Sequence, residues 1–173
     1  MKIEDGTGGG KFTAVTDDNR LEVSSATFSQ SHLIASRDAQ TYIWTSSYSA
    51  GTGDEVIYIK NTAKTALLVI DKVTVNGVLT GLFELYTATG TAAGTTITGA
   101  NTNRTSGNAA DATALGNAAV TSITPGDRID MARIPAAGRA TMELNDVLIL
   151  GLNDAITVTY TGSTSIVDLI ITG

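Results

Sequence analysis

Cysteine is absent from the chain, so neither a disulfide framework nor a thiolate metal site is available. His32 is the single histidine, which excludes a cluster of imidazole ligands. Long apolar runs are missing too. The two longest, 66–70 and 147–152, fall far short of the ~20 residues that a membrane-spanning helix needs. The opening Met1-Lys2-Ile3-Glu4-Asp5 leads into glycine, so no secretory leader is expected. Clustered positive charge is the last absence. Eleven Lys and Arg are dispersed among seventeen Asp and Glu, for a net charge of −6. Phosphate neutralisation needs grouped cations, so the expected partners include neither nucleic acid nor a membrane surface.

What is present favours strands. Thr is the commonest residue, with 28 copies, and together with Val and Ile it suits a pleated, half-buried surface. Gly, with 18 copies, recurs at intervals that suit turns. The one arguable helix, 109–119, is interrupted by Gly116 and has almost no apolar stripe. Strands are expected near 42–49, 55–60, 67–75, 82–86, 141–144, 147–150, 155–160 and 166–171. Asn76-Gly77, Asn145-Asp146, Asn153-Asp154 and Thr161-Gly162-Ser163 read as turns between them. Eight short strands at this spacing predict an all-β, jelly-roll-like antiparallel sandwich over residues 42–173. That length, 173 residues in all, is enough for a self-sufficient core.

Two segments stand apart. Residues 1–41 read as an extended N-terminal arm with a hairpin, 11–15 against 20–26, turned by Thr16-Asp17-Asp18-Asn19. A lone hairpin is marginal in water, so it must pack on its own body or on a partner. Residues 87–119 read as a long loop. All but four of these residues are Ala, Thr, Gly, Asn or Ser, which suits a segment lying flat against a neighbouring protein.

Sites for chemistry are hard to find. Gly8-Gly9-Gly10-Lys11 fails as a phosphate-binding loop, because Asp5 replaces the first Gly and Phe12 replaces the metal-holding hydroxyl. His32 has Ser29, Ser31 and Asp38 nearby but no nucleophile-elbow context. The carboxylate pairs Asp17-Asp18, Asp54-Glu55 and Asp127 with Asp130 lie largely in turn chemistry, where Asp is expected anyway. No catalytic, cofactor or metal residue is assigned, and the chain is expected not to be an enzyme. Tyr42, Trp44 and Tyr48 are the most informative set, since a strand over 40–49 projects all three from one face. With only one Trp, five Tyr and three Phe available, core or interface packing is favoured over a glycan-binding platform.

Three passages together carry a resemblance. The first runs from Ile3-Glu4-Asp5-Gly6-Thr7-Gly8 through Ala14-Val15 to Asn19-Arg20-Leu21-Glu22-Val23. The second is Glu55-Val56-Ile57-Tyr58-Ile59-Lys60-Asn61-Thr62 with the strand that follows from Leu67. The third is Asn101-Thr102-Asn103-Arg104-Thr105-Ser106-Gly107-Asn108-Ala109-Ala110. In this order they resemble small structural proteins of tailed-phage virions. The resemblance implies a protein that decorates or cements a capsid, or forms a head or tail fibre, usually as a trimer. The expected partners are then the major capsid protein and copies of the chain itself, on the outer surface of the phage head. Candidate interface residues are Phe12, Val15, Leu21, Val23, Asn101, Asn103 and Arg104. A receptor- or glycan-binding fibre module, using Tyr42, Trp44 and Tyr48, is the alternative.

Overall fold

The computed structural model of the chain describes residues 3–4, 12–13, 41–103 and 107–173. Among these residues every regular element is a strand. β1 (Ile3–Glu4) and β2 (Phe12–Thr13) form a short antiparallel pair with Ile3 opposite Thr13. The rest of the expected hairpin, including Val15, Leu21 and Val23, lies outside the described residues. The body follows as β3 (Tyr42–Ala50), β4 (Asp54–Asn61), β5 (Leu68–Gly77) and β6 (Gly81–Ala93). Three short strands come next, β7 (Thr96–Ile97), β8 (Ala100–Asn101) and β9 (Ala112–Leu115). The chain ends in β10 (Thr121–Ile134), β11 (Gly138–Leu150), β12 (Ala155–Gly162) and β13 (Ser165–Thr172).

The body strands build two antiparallel sheets, β10-β6-β12-β4-β9-β7 and β11-β5-β13-β3-β8. One pairing rule organises them. β3 pairs with β13, β4 with β12, β5 with β11 and β6 with β10. The chain is therefore a single long ribbon, 42–93 against 121–172, folded over so that successive pairs fall in alternate sheets. That is the jelly-roll arrangement, which packs the two sheets face to face around one core.

The turns stack where the ribbon folds. Gly53 N–H donates to the Tyr160 carbonyl at 2.8 Å, Asn153 N–H to Asn61 at 2.9 Å, and Ala137 N–H to Val78 at 2.9 Å. Two of the turns repeat one chemistry, Gly51-Thr52-Gly53-Asp54 and Gly151-Leu152-Asn153-Asp154. In each, the Asp carboxylate accepts the Gly N–H, at 2.7 and 2.9 Å. The third residue is left-handed in both, Gly53 at φ 85° and Asn153 at φ 70°. Gly and Asn are the residues that tolerate that conformation most cheaply.

The eight long strands match the expected number through two compensating differences. β10 was not expected, and the two strands expected at 141–144 and 147–150 are one. β11 continues through Asn145, which takes φ 49° where the register with β5 jumps between Glu143 and Leu148. A bulge of this kind re-aims a strand without ending it. Asn76-Gly77 closes β5 rather than forming the turn itself, which falls at 78–80. Gly77 is buried, and a Cβ there would stand 2.7 Å from Ile134 Cδ1.

The core lies between the sheets. Its largest fully buried side chains are Trp44, Tyr160 and Phe83, surrounded by Ile, Leu and Val from every long pair. Tyr160 and Phe83 meet with ring centroids 5.1 Å apart. Two buried polar groups tie the layers together. Ser46 Oγ, on β3, donates to the Val56 carbonyl of the facing sheet at 2.8 Å. Asn61, at the end of β4, donates to the carbonyls of Ala66 and Leu150 and accepts the Ala63 N–H.

Candidate interaction surface

Tyr42, Trp44 and Tyr48 share one face of β3, as the alternation predicts, and that face points inward. Trp44 keeps 1% of its surface exposed and Tyr42 6%. Their rings lie 5.9 Å apart, and Tyr42 Oη donates to the Ala109 carbonyl at 2.9 Å. Rings so enclosed fill core volume and offer no flat face to a sugar. Tyr48 is half-buried, and its hydroxyl is buried without a hydrogen-bond partner. Burial, with the charges of Asp54 and Glu55, pushes its pKa up. Tyr42 is shifted the same way by burial and by Asp111, and Tyr58 by burial.

Segment 87–119 is more structured than a loop. It contains the end of β6 and all of β7, β8 and β9. Two of its glycines lie against the body. A Cβ on Gly99 would stand 2.7 Å from the Trp44 Nε1, and one on Gly116 would stand 2.8 Å from the Ser46 Oγ. Asn117 reinforces this contact, its N–H donating to Ser46 Oγ and its Oδ1 accepting the Ser47 N–H. Asn101 sits opposite Tyr42 in the β3–β8 ladder, and its side chain accepts the Asn103 N–H and donates to the Asn108 carbonyl. Asn101 thus shapes a turn, with the Asn103 backbone as its partner. Arg104 lies outside the described residues, and of Phe12 only its place in β2 is described.

The carboxylates serve local structure. Asp54 holds the turn described above. Glu55 Oε2 accepts the hydroxyls of Thr157 and Thr159 at 3.0 and 2.8 Å. Asp130 Oδ1 accepts the Met131 N–H, and Glu84 pairs with Arg128 at 2.7 Å. Among the described residues no group of three or more His, Asp or Glu comes together as metal ligands would. His32, Asp17 and Asp18 lie outside the described residues.

Among the described residues several large apolar side chains are exposed, and one group of them was not singled out from sequence. Val147 is 80% exposed, Leu67 67%, and Ile149 and Leu152 each 50%. Ile149 stands opposite Val69 in the β5–β11 ladder, and Val147 and Ile149 point the same way. β11 is the edge of its sheet, so this apolar patch lies on a strand with one edge unpaired among the described residues. The signal was in the sequence. Val147-Leu148-Ile149-Leu150 is apolar on both faces, although only Leu148 and Leu150 face the core. A strand apolar on both faces implies a cover for each.

Beside this patch, the end of the sandwich opens into a cleft of about 90 Å³. Tyr42, Ala63, Leu67, Leu68 and Ala110 line it, with Asp111 the charged residue of its wall.

Compared with family models, curated proteins and solved structures, the chain matches none.

Proposed function

We propose that this protein is a non-catalytic structural component of a phage virion, a decoration protein that binds the capsid shell and its own copies. One observation carries the binding part of this reading. Val147 and Ile149 on β11, with Leu67 and Leu152 near it, hold apolar surface in solvent at what is the edge strand among the described residues. Exposed apolar patches on a folded body mark interaction surfaces. The resemblance of the three sequence passages to tailed-phage structural proteins supplies the partner class, and a trimer is the assembly that resemblance implies. Several copies joined in this way would add avidity to individually weak contacts.

Burial of Tyr42 and Trp44 removes the motive for the glycan-binding alternative, which rested on those rings. Electron microscopy of intact particles tests the proposal. Density for this jelly roll in clusters on the head shell is the expected result. Density confined to the tail, or no particle-bound protein, would overturn it.

A further inference from the structure

Among the described residues the two body sheets end in four edge strands, β10 and β7 in one, β11 and β8 in the other. An open edge recruits foreign strands unless something blunts it. β7 and β8 are each two residues long, too short to offer a ladder. β10 contains Pro125 and Gly126, and its register with β6 shifts three times. β11 is different. From Gly138 to Glu143 it runs opposite β5 without a break, Gly138 facing Gly77 and Glu143 facing Lys72, and its bulge comes only after Glu143. Residues 139–143 include neither Pro nor Gly. The other edge of this straight stretch is unpaired among the described residues.

The outward face of that stretch carries Arg139, Thr141 and Glu143, all exposed. Neither charge makes a salt bridge among the described residues. Their spacing is self-complementary. When two copies of a strand pair antiparallel about a two-fold axis, the residue on the axis stands opposite itself, and the residues on either side of it exchange places. An axis at Arg139 or at Glu143 sets like charges against each other. An axis at Thr141 sets Arg139 of each copy opposite Glu143 of the other, and Thr141 opposite Thr141. Opposite charges and paired Thr are favourable cross-strand neighbours, whereas like charges directly opposite are unfavourable. We propose that β11 of a second copy pairs antiparallel with β11 in this register, joining the two five-stranded sheets edge to edge. A foreign strand could satisfy the same backbone groups, but a copy of this one also meets both charges. The paired stretch ends where Leu144 meets Gly138 of the second copy, so Val147 and Ile149 lie beyond it. The contact is therefore separate from the patch on which the proposed function rests. Being two-fold, it would link one larger cluster of copies to another.

Charge reversal in the full chain tests the register. Arg139→Glu sets Glu against Glu and Glu143→Arg sets Arg against Arg, so each should raise the dimer dissociation constant about tenfold in sedimentation. Both changes in one chain should restore the dimer. Mixing the two single variants should restore it as well, since each supplies the charges that the other needs. Because the chain lacks cysteine, Thr141→Cys adds one thiol that stands opposite its own copy. Cα atoms across an antiparallel pair lie about 4.5–5.5 Å apart, within reach of a disulfide. Mild oxidation should therefore link Thr141→Cys into a dimer, and should leave Ser49→Cys, exposed on the same sheet, unlinked. A wild type that stays monomeric up to near-millimolar concentration would overturn the proposal. So would single reversals without effect, a loss that neither combination restores, no link at Thr141→Cys, or equal linking from both cysteines.

Discussion

Gly99 lies against the indole of Trp44 so closely that a Cβ would stand 2.7 Å from Nε1 and 2.8 Å from Cε2. Trp44 is fixed in the core and cannot retreat. Gly99→Ala should therefore cost about 1–3 kcal/mol, the usual penalty of forcing extra volume into a packed site. Gly107 has nothing within 4 Å of its Cβ position, so Gly107→Ala should change stability by less than about 0.5 kcal/mol. Denaturant unfolding of both variants checks the contrast. Equal stability would mean that segment 94–101 does not rest on Trp44.

Asn61 joins three pieces of chain at the corner where the ribbon folds. Its amide donates to Ala66 and Leu150 while its oxygen accepts from Ala63. Asn61→Ala strands all three groups and should cost at least about 1–3 kcal/mol. Asn61→Asp should cost more at neutral pH, because a carboxylate oxygen then faces two carbonyls. Those carbonyls favour the protonated acid, so its folded pKa rises above the unfolded value. The deficit relative to wild type should then shrink as pH falls through that raised pKa. Urea midpoints for the two variants, taken against pH, measure it. A deficit that grows in acid would contradict the geometry.

Residue by residue, what sequence could and could not show has physical causes. Strands with one wet face, such as 155–160 and 166–171, were legible because alternation reports a half-buried sheet. β10 was not, because it is an edge strand whose residues from Thr121 to Ile129 are almost all exposed, and it contains Pro125 and Gly126. Those residues blunt an edge against foreign pairing and also erase the alternating pattern. Asn145 split β11 in the sequence because a left-handed Asn marks a bulge as well as a turn. The small residues of 87–119 were read as a surface for a neighbour. At Gly99 and Gly116 the absent side chain also allows close packing on Trp44 and Ser46, a contact that needs the partner strand in view. The nested pairing of distant strands leaves no local trace at all.

Tyr48 provides a test at high pH. Its hydroxyl is buried without a partner, beside the charges of Asp54 and Glu55. The Asp54 carboxylate is near the hydroxyl but does not meet it in good hydrogen-bond geometry, so Tyr48→Phe should change stability by no more than about 1 kcal/mol at neutral pH. The pH dependence has a definite sign. Burial and the two acids raise the folded pKa, so the folded state keeps the phenol proton after the unfolded state has begun to lose it near the usual value of about 10. Stability is therefore retained below that value and is lost as pH rises above it. Tyr48→Phe should flatten this alkaline decline. A decline of unchanged slope in the variant would shift the cause to Tyr42 and Tyr58, which are raised in the same direction.

Val147 and Ile149 separate a binding role from a folding role. Both side chains point away from the core, and Val147 is 80% exposed. Val147 gives up little contact and Ile149 its half-exposed pairing with Val69, so Val147→Lys with Ile149→Lys should cost no more than about 1–1.5 kcal/mol and leave the body folded. An added Lys on an edge strand also discourages pairing with another chain. If the patch is a contact surface, the double variant should sediment as a smaller species than wild type at the same micromolar concentration, and should bind particles more weakly. Ile166, 56% exposed on the same sheet but near its opposite end, supplies the control. Ile166→Lys with Ser49→Lys adds the same two positive charges at a distance from the patch and should leave both measurements as they were. Equal losses from the two double variants would assign the effect to net charge, and unchanged assembly in both would remove the patch as the binding surface.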